Sequence, residues 1–134
     1  MNRSLLDDCR EGNASGVEDK IKNGSDLNHA DTDGVIPLYV ACAHGHVELV
    51  KFLIASGTSV NESGGNGATP LHIASEKGHL EVVKELIASG GSVNEATDDY
   101  GWTPLYIASL QGHLEVVKFL ICLLYTSPSP RDVR

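Results

Sequence analysis

His46, His79 and His113 each follow a glycine, and the three Gly-His pairs stand 33 and 34 residues apart. Imidazole is a common metal ligand and general base, so three at a nearly fixed step invite a metal centre. Zinc needs its ligand atoms about 2 Å away, whereas packed helices lie about 8–10 Å apart. Histidines that recur one structural layer apart therefore do not converge, and their expected role is structural, at a helix break. His29 and His44 are isolated in the sequence, and neither is read as a ligand. Cys9, Cys42 and Cys122 are odd in number, far apart and in no C-x-x-C pairing, which supports neither a zinc site nor a disulfide framework. The paired carboxylates Asp7-Asp8 and Asp98-Asp99 are expected to be solvated. Gly64-Gly65-Asn66-Gly67 is rich in glycine but lacks the Lys-Ser/Thr that completes a phosphate-binding loop. No catalytic residue, cofactor or metal is expected.

The elements that position these residues repeat with them. Ile36-Pro37-Leu38-Tyr39-Val40-Ala41 returns as Thr69-Pro70-Leu71-His72-Ile73-Ala74 and, one residue late, as Thr103-Pro104-Leu105-Tyr106-Ile107-Ala108. Self-similarity at such a step signals a stacked array. Pro37, Pro70 and Pro104 suit the first helical position, where the missing N–H costs nothing. Each helix should end near Gly45, Gly78 or Gly112. A second helix should begin at the following histidine, with a buried stripe at Val47, Val50, Leu53 and Ile54 and at the matching positions Leu80, Val83, Leu86, Ile87 and Leu114, Val117, Leu120, Ile121. Glu48 and Lys51, Glu81 and Lys84, and Glu115 and Lys118 should pair on its wet side.

These residues resemble the ankyrin repeat, with its Thr-Pro-Leu-His helix start, Gly-His break and Gly-x-x-x-Asn exit. The resemblance implies an all-α repeat stack, an α-solenoid with short β-hairpin turns, over residues 1–122. Its units are about 1–30, 31–63, 64–97 and 98–122. The unit at Thr69–Ala74 matches in full. Ile36 and Tyr39 depart from the family's Thr and His, so the second unit should be looser at its helix start. In the first unit Asp8, Asn13, Ser15, Gly16 and Asp19 are polar or small where later units differ, as an exposed N-terminal cap would require. Asn61 and Asn94 resemble ankyrin asparagines that oxygen-dependent hydroxylases modify, although an asparagine that stabilises its turn is the stronger reading.

Ten Lys+Arg against eighteen Asp+Glu give a formal net charge of -8, which repels phosphate backbones and anionic lipid. Nucleic acid and membrane insertion are accordingly not expected, and a basic or neutral protein partner is favoured. The N-terminus has no apolar stretch suited to a secretory signal. An intracellular, cytoplasmic or nuclear, monomeric protein is expected. Residues 123–134 break the repeat and read as a non-native or disordered tail. From Cys122 to Asp132 they can be produced by translating a transposase adapter used in sequencing libraries, which should be excluded from fold reasoning. A natural Ser/Pro-rich tail is the alternative. Without a polar cap, Leu114, Val117 and their neighbours should be exposed.

The resemblance also implies a partner surface at the hairpin tips and the open side of each first helix. Carried over by position, it comprises Asp33, Val35, Ala43 and His44, then Asn66, Ala68, Glu76 and Lys77, then Tyr100, Trp102, Leu110 and Gln111. Trp102 is the sharpest candidate, because it is the only tryptophan and aromatic side chains dominate interface hot spots. Packing against a neighbouring hairpin is the competing role for it. The function implied is a non-catalytic protein-interaction module acting as adaptor, scaffold or recruiting surface. The alternative is the substrate-targeting arm of a larger enzyme, such as a kinase or ubiquitin ligase.

Overall fold

Each of the three Pro-Leu sequences opens a helix with proline in its first turn, as its fixed φ and missing donor predict. A computed structural model describes residues 5–24, 36–62, 67–98 and 100–125, within which there are eight helices and no strand. They are α1 (Leu5–Glu11), α2 (Ala14–Lys22), α3 (Pro37–Ala43), α4 (Val47–Ala55), α5 (Pro70–Lys77), α6 (Leu80–Ala88), α7 (Pro104–Gln111) and α8 (Leu114–Tyr125). Odd-numbered helices pack on one another in sequence, even-numbered helices do the same, and each odd helix packs on the even helix that comes after it. The result is a two-layered stack of four helix pairs.

The layers approach closely because the repeated alanines are small. Ala41, Ala74 and Ala108 are all fully buried in the odd layer. In the even layer the buried set is Leu49, Val50 and Leu53 on α4, and Val82, Val83 and Leu86 on α6. On α8 it is Val116 and Leu120. The expected stripe is thus corrected. Val47, Ile54, Leu80, Ile87 and Val117 are only partly buried and Leu114 and Ile121 are exposed, while Leu49, Val82 and Val116 move inside. A middle helix here touches its own partner helix and a neighbour on either side, so it buries a wider face than a single-sided stripe. Each fully buried Val or Leu contributes roughly 1.5–3 kcal/mol. The outer Glu-Lys pairs form at 3.7–3.8 Å and stay largely exposed, so they contribute little by comparison.

Left-handed glycines close the pairs. Gly78 and Gly112 cap α5 and α7 at φ 77° and 76°, and Gly45, one residue past the α3 cap, has φ 73°. The second helices begin one residue later than expected, because His46 and His79 serve as N-caps and not as first helical residues. Gly57 and Gly90 lie two residues beyond α4 and α6 with φ 100°. The corresponding position in the fourth unit is Leu124, which cannot easily adopt that conformation. Accordingly α8 runs through to Tyr125, beyond the expected domain end at 122. Residues 126–134, the rest of the expected tail, lie outside the described residues.

The N-terminal unit also departs from expectation at Asp8, which is fully buried and not solvated. Its carboxylate pairs with Lys20 Nζ at 2.5 Å and accepts from Asn13 Nδ2 at 3.3 Å. Asn13 in turn caps α2 by accepting from Gly16 N at 3.1 Å. Asp8 therefore fastens α1 to α2 through a paired charge, which is how a buried carboxylate is tolerated.

Candidate functional site

The repeated imidazoles join one unit to the next. The Nε2–H of His46 donates to Arg10 O at 2.9 Å, that of His79 to Ala43 O at 3.1 Å, and that of His113 to Glu76 O at 2.8 Å. Each bond crosses from one unit to the last turn of the previous unit's first helix, and each ring sits against the previous unit's glycine. A Cβ built on Gly12, Gly45 or Gly78 would lie 2.5–2.8 Å from the facing ring. The glycine is thus required twice, for its positive φ and for the space the imidazole fills. These rings are mortar between units, in keeping with a structural role. His44 is not isolated as expected, since its exposed ring stacks on His46 with centroids 6.1 Å apart.

His72 belongs to a different bond set. Thr69 N donates to its Nδ1 at 2.9 Å, so the ring proton resides on Nε2, which donates to Trp102 O at 3.0 Å. Thr69 Oγ1 accepts from His72 N and completes a capping box. Thr103 Oγ1 likewise accepts from Tyr106 N at 3.2 Å. Ile36 offers α3 no side-chain cap, consistent with its departure from the Thr pattern.

The Trp102 carbonyl that receives His72 is held by a tight turn. Thr97 N donates to Trp102 O at 2.9 Å, Gly101 N to Thr97 O at 3.1 Å, and Trp102 N to Thr97 Oγ1 at 3.1 Å. The Trp102 ring lies between two tyrosines of its own unit. Its centroid is 5.1 Å from Tyr100, with the planes 28° apart, and 5.7 Å from Tyr106, with the planes 43° apart. Tyr100 is 72% exposed, Tyr106 50%, and Leu110, one turn further along α7, 56%. Together they form an aromatic shelf that continues onto the open side of α7.

Among the residues expected to meet a partner, His44, Lys77, Tyr100, Leu110 and Gln111 are exposed and Glu76 and Trp102 half-buried. The structure joins Tyr100, Trp102 and Leu110 in one region, whereas His44 lies toward the other end of the stack beside His46. Ala68 is buried and is withdrawn from the surface. Asp33, Val35 and Asn66 lie outside the described residues. Tyr106 joins the shelf although the repeat pattern marks it only as the replacement for a helix-start histidine. Its spacing of four from Leu110 places both on one helical face, a signal the sequence does carry. Asn61 ties two units together, donating through Nδ2 to Gly90 O at 3.2 Å and accepting from Ser92 N at 2.8 Å.

A family model described as ankyrin repeats (3 copies) matches residues 5–97 and, in a second overlapping match, residues 56–132. The chain belongs to the ankyrin-repeat family. A search of curated proteins finds no match. Ankyrin repeats are in general protein-interaction modules and are typically non-catalytic. Among the described residues no helix is long and apolar enough to cross a membrane. No group of three or more His, Cys, Asp or Glu among them could hold a metal ion.

Proposed function

We propose that this ankyrin domain is an intracellular adaptor or recruiting surface, and that it engages its protein partner mainly through the fourth unit. One observation carries this reading. Among the described residues, five of the six large hydrophobic side chains that are exposed, Tyr100, Tyr106, Leu110, Leu114 and Ile121, belong to that unit, and the sixth, Leu123, follows it directly on α8. Solvent exposure of aromatic groups held rigid by a closed turn favours binding, because little side-chain freedom remains to be lost on contact. Lys77, Glu76 and Gln111 extend the surface across α5 and α7, and the hairpin tips add polar contacts at its rim.

The test is affinity capture from the source tissue with the full chain and with a Tyr100→Ala/Trp102→Ala variant. Any partner held by this surface should be depleted at least about tenfold by the double substitution, as expected for removal of aromatic hot spots. Far-UV circular dichroism should be unchanged. Equal recovery by both proteins would move the interface elsewhere.

A further inference from the structure

We infer that the Asp8-Lys20 pair is a latch on the first unit, and that converting the Lys20 amine to a neutral amide releases α1 and α2 together while later units stay folded. The register of the repeat is the ground for it. Asp8, Gly16 and Lys20 stand 33 residues before Ala41, Leu49 and Leu53, which are buried apolar residues of the second unit. The first unit thus holds a charged contact where the next holds an apolar one. A Cβ on Gly16 would lie 2.7 Å from Asp8 Oδ2, so the glycine supplies the room that the carboxylate fills. The Asp8 side chain is 1% exposed and that of Lys20 28%, which makes the amine the end of the pair nearer to solvent.

Apolar burial holds α2 only lightly. Val17 is its one buried residue, with Ile21 partly buried against the core, whereas α4 and α6 each bury three. Asn13 stands where His46 and His79 bridge to the preceding unit, but it bonds to Asp8 and Gly16 within its own. α3, the other helix packed on α1, has no charged side chain, and Arg10 of α1 is engaged by Asp7 at 2.7 Å. The countercharge at position 20 therefore weighs heavily, because removing one partner of a buried ion pair is strongly destabilising. Acylation removes it when the deprotonated amine attacks a thioester. The N–C bond forms, the C–S bond breaks, and the proton lost by the amine goes to the leaving thiolate. The product amide carries no charge.

The test is hydrogen exchange on the full chain with acetyl-lysine installed at position 20, alongside Lys20→Gln and, as a control, acetyl-lysine at the exposed position 22 of the same helix. Amides of α1 and α2 should exchange at least about tenfold faster with acetyl-lysine or glutamine at 20, with α5 and α6 unchanged. The Lys22 control should match the wild type. Cys9 gives a second readout, since burial and then the charge of Asp8 push its pKa up to about 12. Its labelling by a thiol reagent should be slow in the wild type and severalfold faster on release. An Asp8→Ala/Gly16→Leu/Lys20→Leu variant, which writes the second unit's residues into the first, should protect α1 and α2 at least as well as the wild type although it lacks the charge. Unchanged exchange with acetyl-lysine at 20, an equal effect at 22, faster exchange spread evenly over every helix, or a triple variant as labile as Lys20→Gln would overturn the inference.

Discussion

His72 and Tyr106 occupy the same place at the start of their helices, yet 1% of one and 50% of the other reach solvent. The difference lies in the unit stacked above each side chain. His72 is covered by the next unit's turn and donates to Trp102 O, whereas Tyr106 leans on Trp102 within its own unit. The same contrast recurs at the unit glycines. A Cβ on Gly78 would meet the His113 ring, while one on Gly112 would meet no described residue within 4 Å. Leu114 is 66% exposed, where Leu80 and Val47 are partly covered. Nearly the same residues thus serve as mortar in the third unit and lie exposed, among the described residues, in the fourth, so position in the stack decides the burial of a side chain more than residue type does.

Paired substitutions in the two units test that difference. Leu71 is fully buried and Leu105 only half-buried. Leu71→Ala should therefore destabilise by about 3 kcal/mol, in the usual range for a closed core site. Leu105→Ala should cost about 1 kcal/mol, the loss expected from partial burial. Urea unfolding of both variants checks this, and equal midpoints would show the fourth unit to be packed like the third.

A smaller gap separates the glycines. Both Gly78→Ala and Gly112→Ala incur the left-handed penalty of about 1–2 kcal/mol. Gly78→Ala must in addition displace His113, so its thermal midpoint should fall about twice as far. Identical midpoint shifts would remove the imidazole from the account.

The smallest effect is a pH dependence toward the opposite end of the stack. Partial burial, then the positive charge of His46 and more distant bases, lowers the His44 pKa from its ordinary value. The unfolded chain then binds that proton more readily than the folded one. Its contribution to stability is therefore full above the ordinary histidine value of about 6.5 and is lost as pH falls through the lowered folded-state value. Because His44 is exposed, the slope should be slight. Replacing it with glutamine should flatten the fall in urea midpoint between about pH 7 and pH 5. An unchanged slope would assign the dependence to another group.

Local chemistry makes much of this fold legible in the sequence. Proline at a first helical turn and glycine at a left-handed stop act within a few residues, so Pro37, Pro70, Pro104, Gly78 and Gly112 announce their helices without reference to the rest of the chain. The burial of Leu49, Val82 and Val116 is not legible in that way, because it depends on helices from other units. Asp8 misleads for a similar reason, since its partner Lys20 lies on the next helix and makes a buried carboxylate tolerable. At the candidate site, Trp102, Tyr100 and Leu110 stand out by type and position. Tyr106 is obscured by its place in the helix-start motif; its spacing of four from Leu110 puts it on the same helical face, and the stacking geometry joins it to Trp102.

The claim that the fourth unit is the contact surface is tested most directly by hydrogen exchange on the full chain with and without a captured partner. Amides from the Thr97 turn through Gln111 at the end of α7 should gain the greatest protection, with the buried helices α4 and α6 unchanged. Protection concentrated on α1 and α2, with the Tyr100-Trp102-Tyr106 segment exchanging as in the free protein, would contradict it.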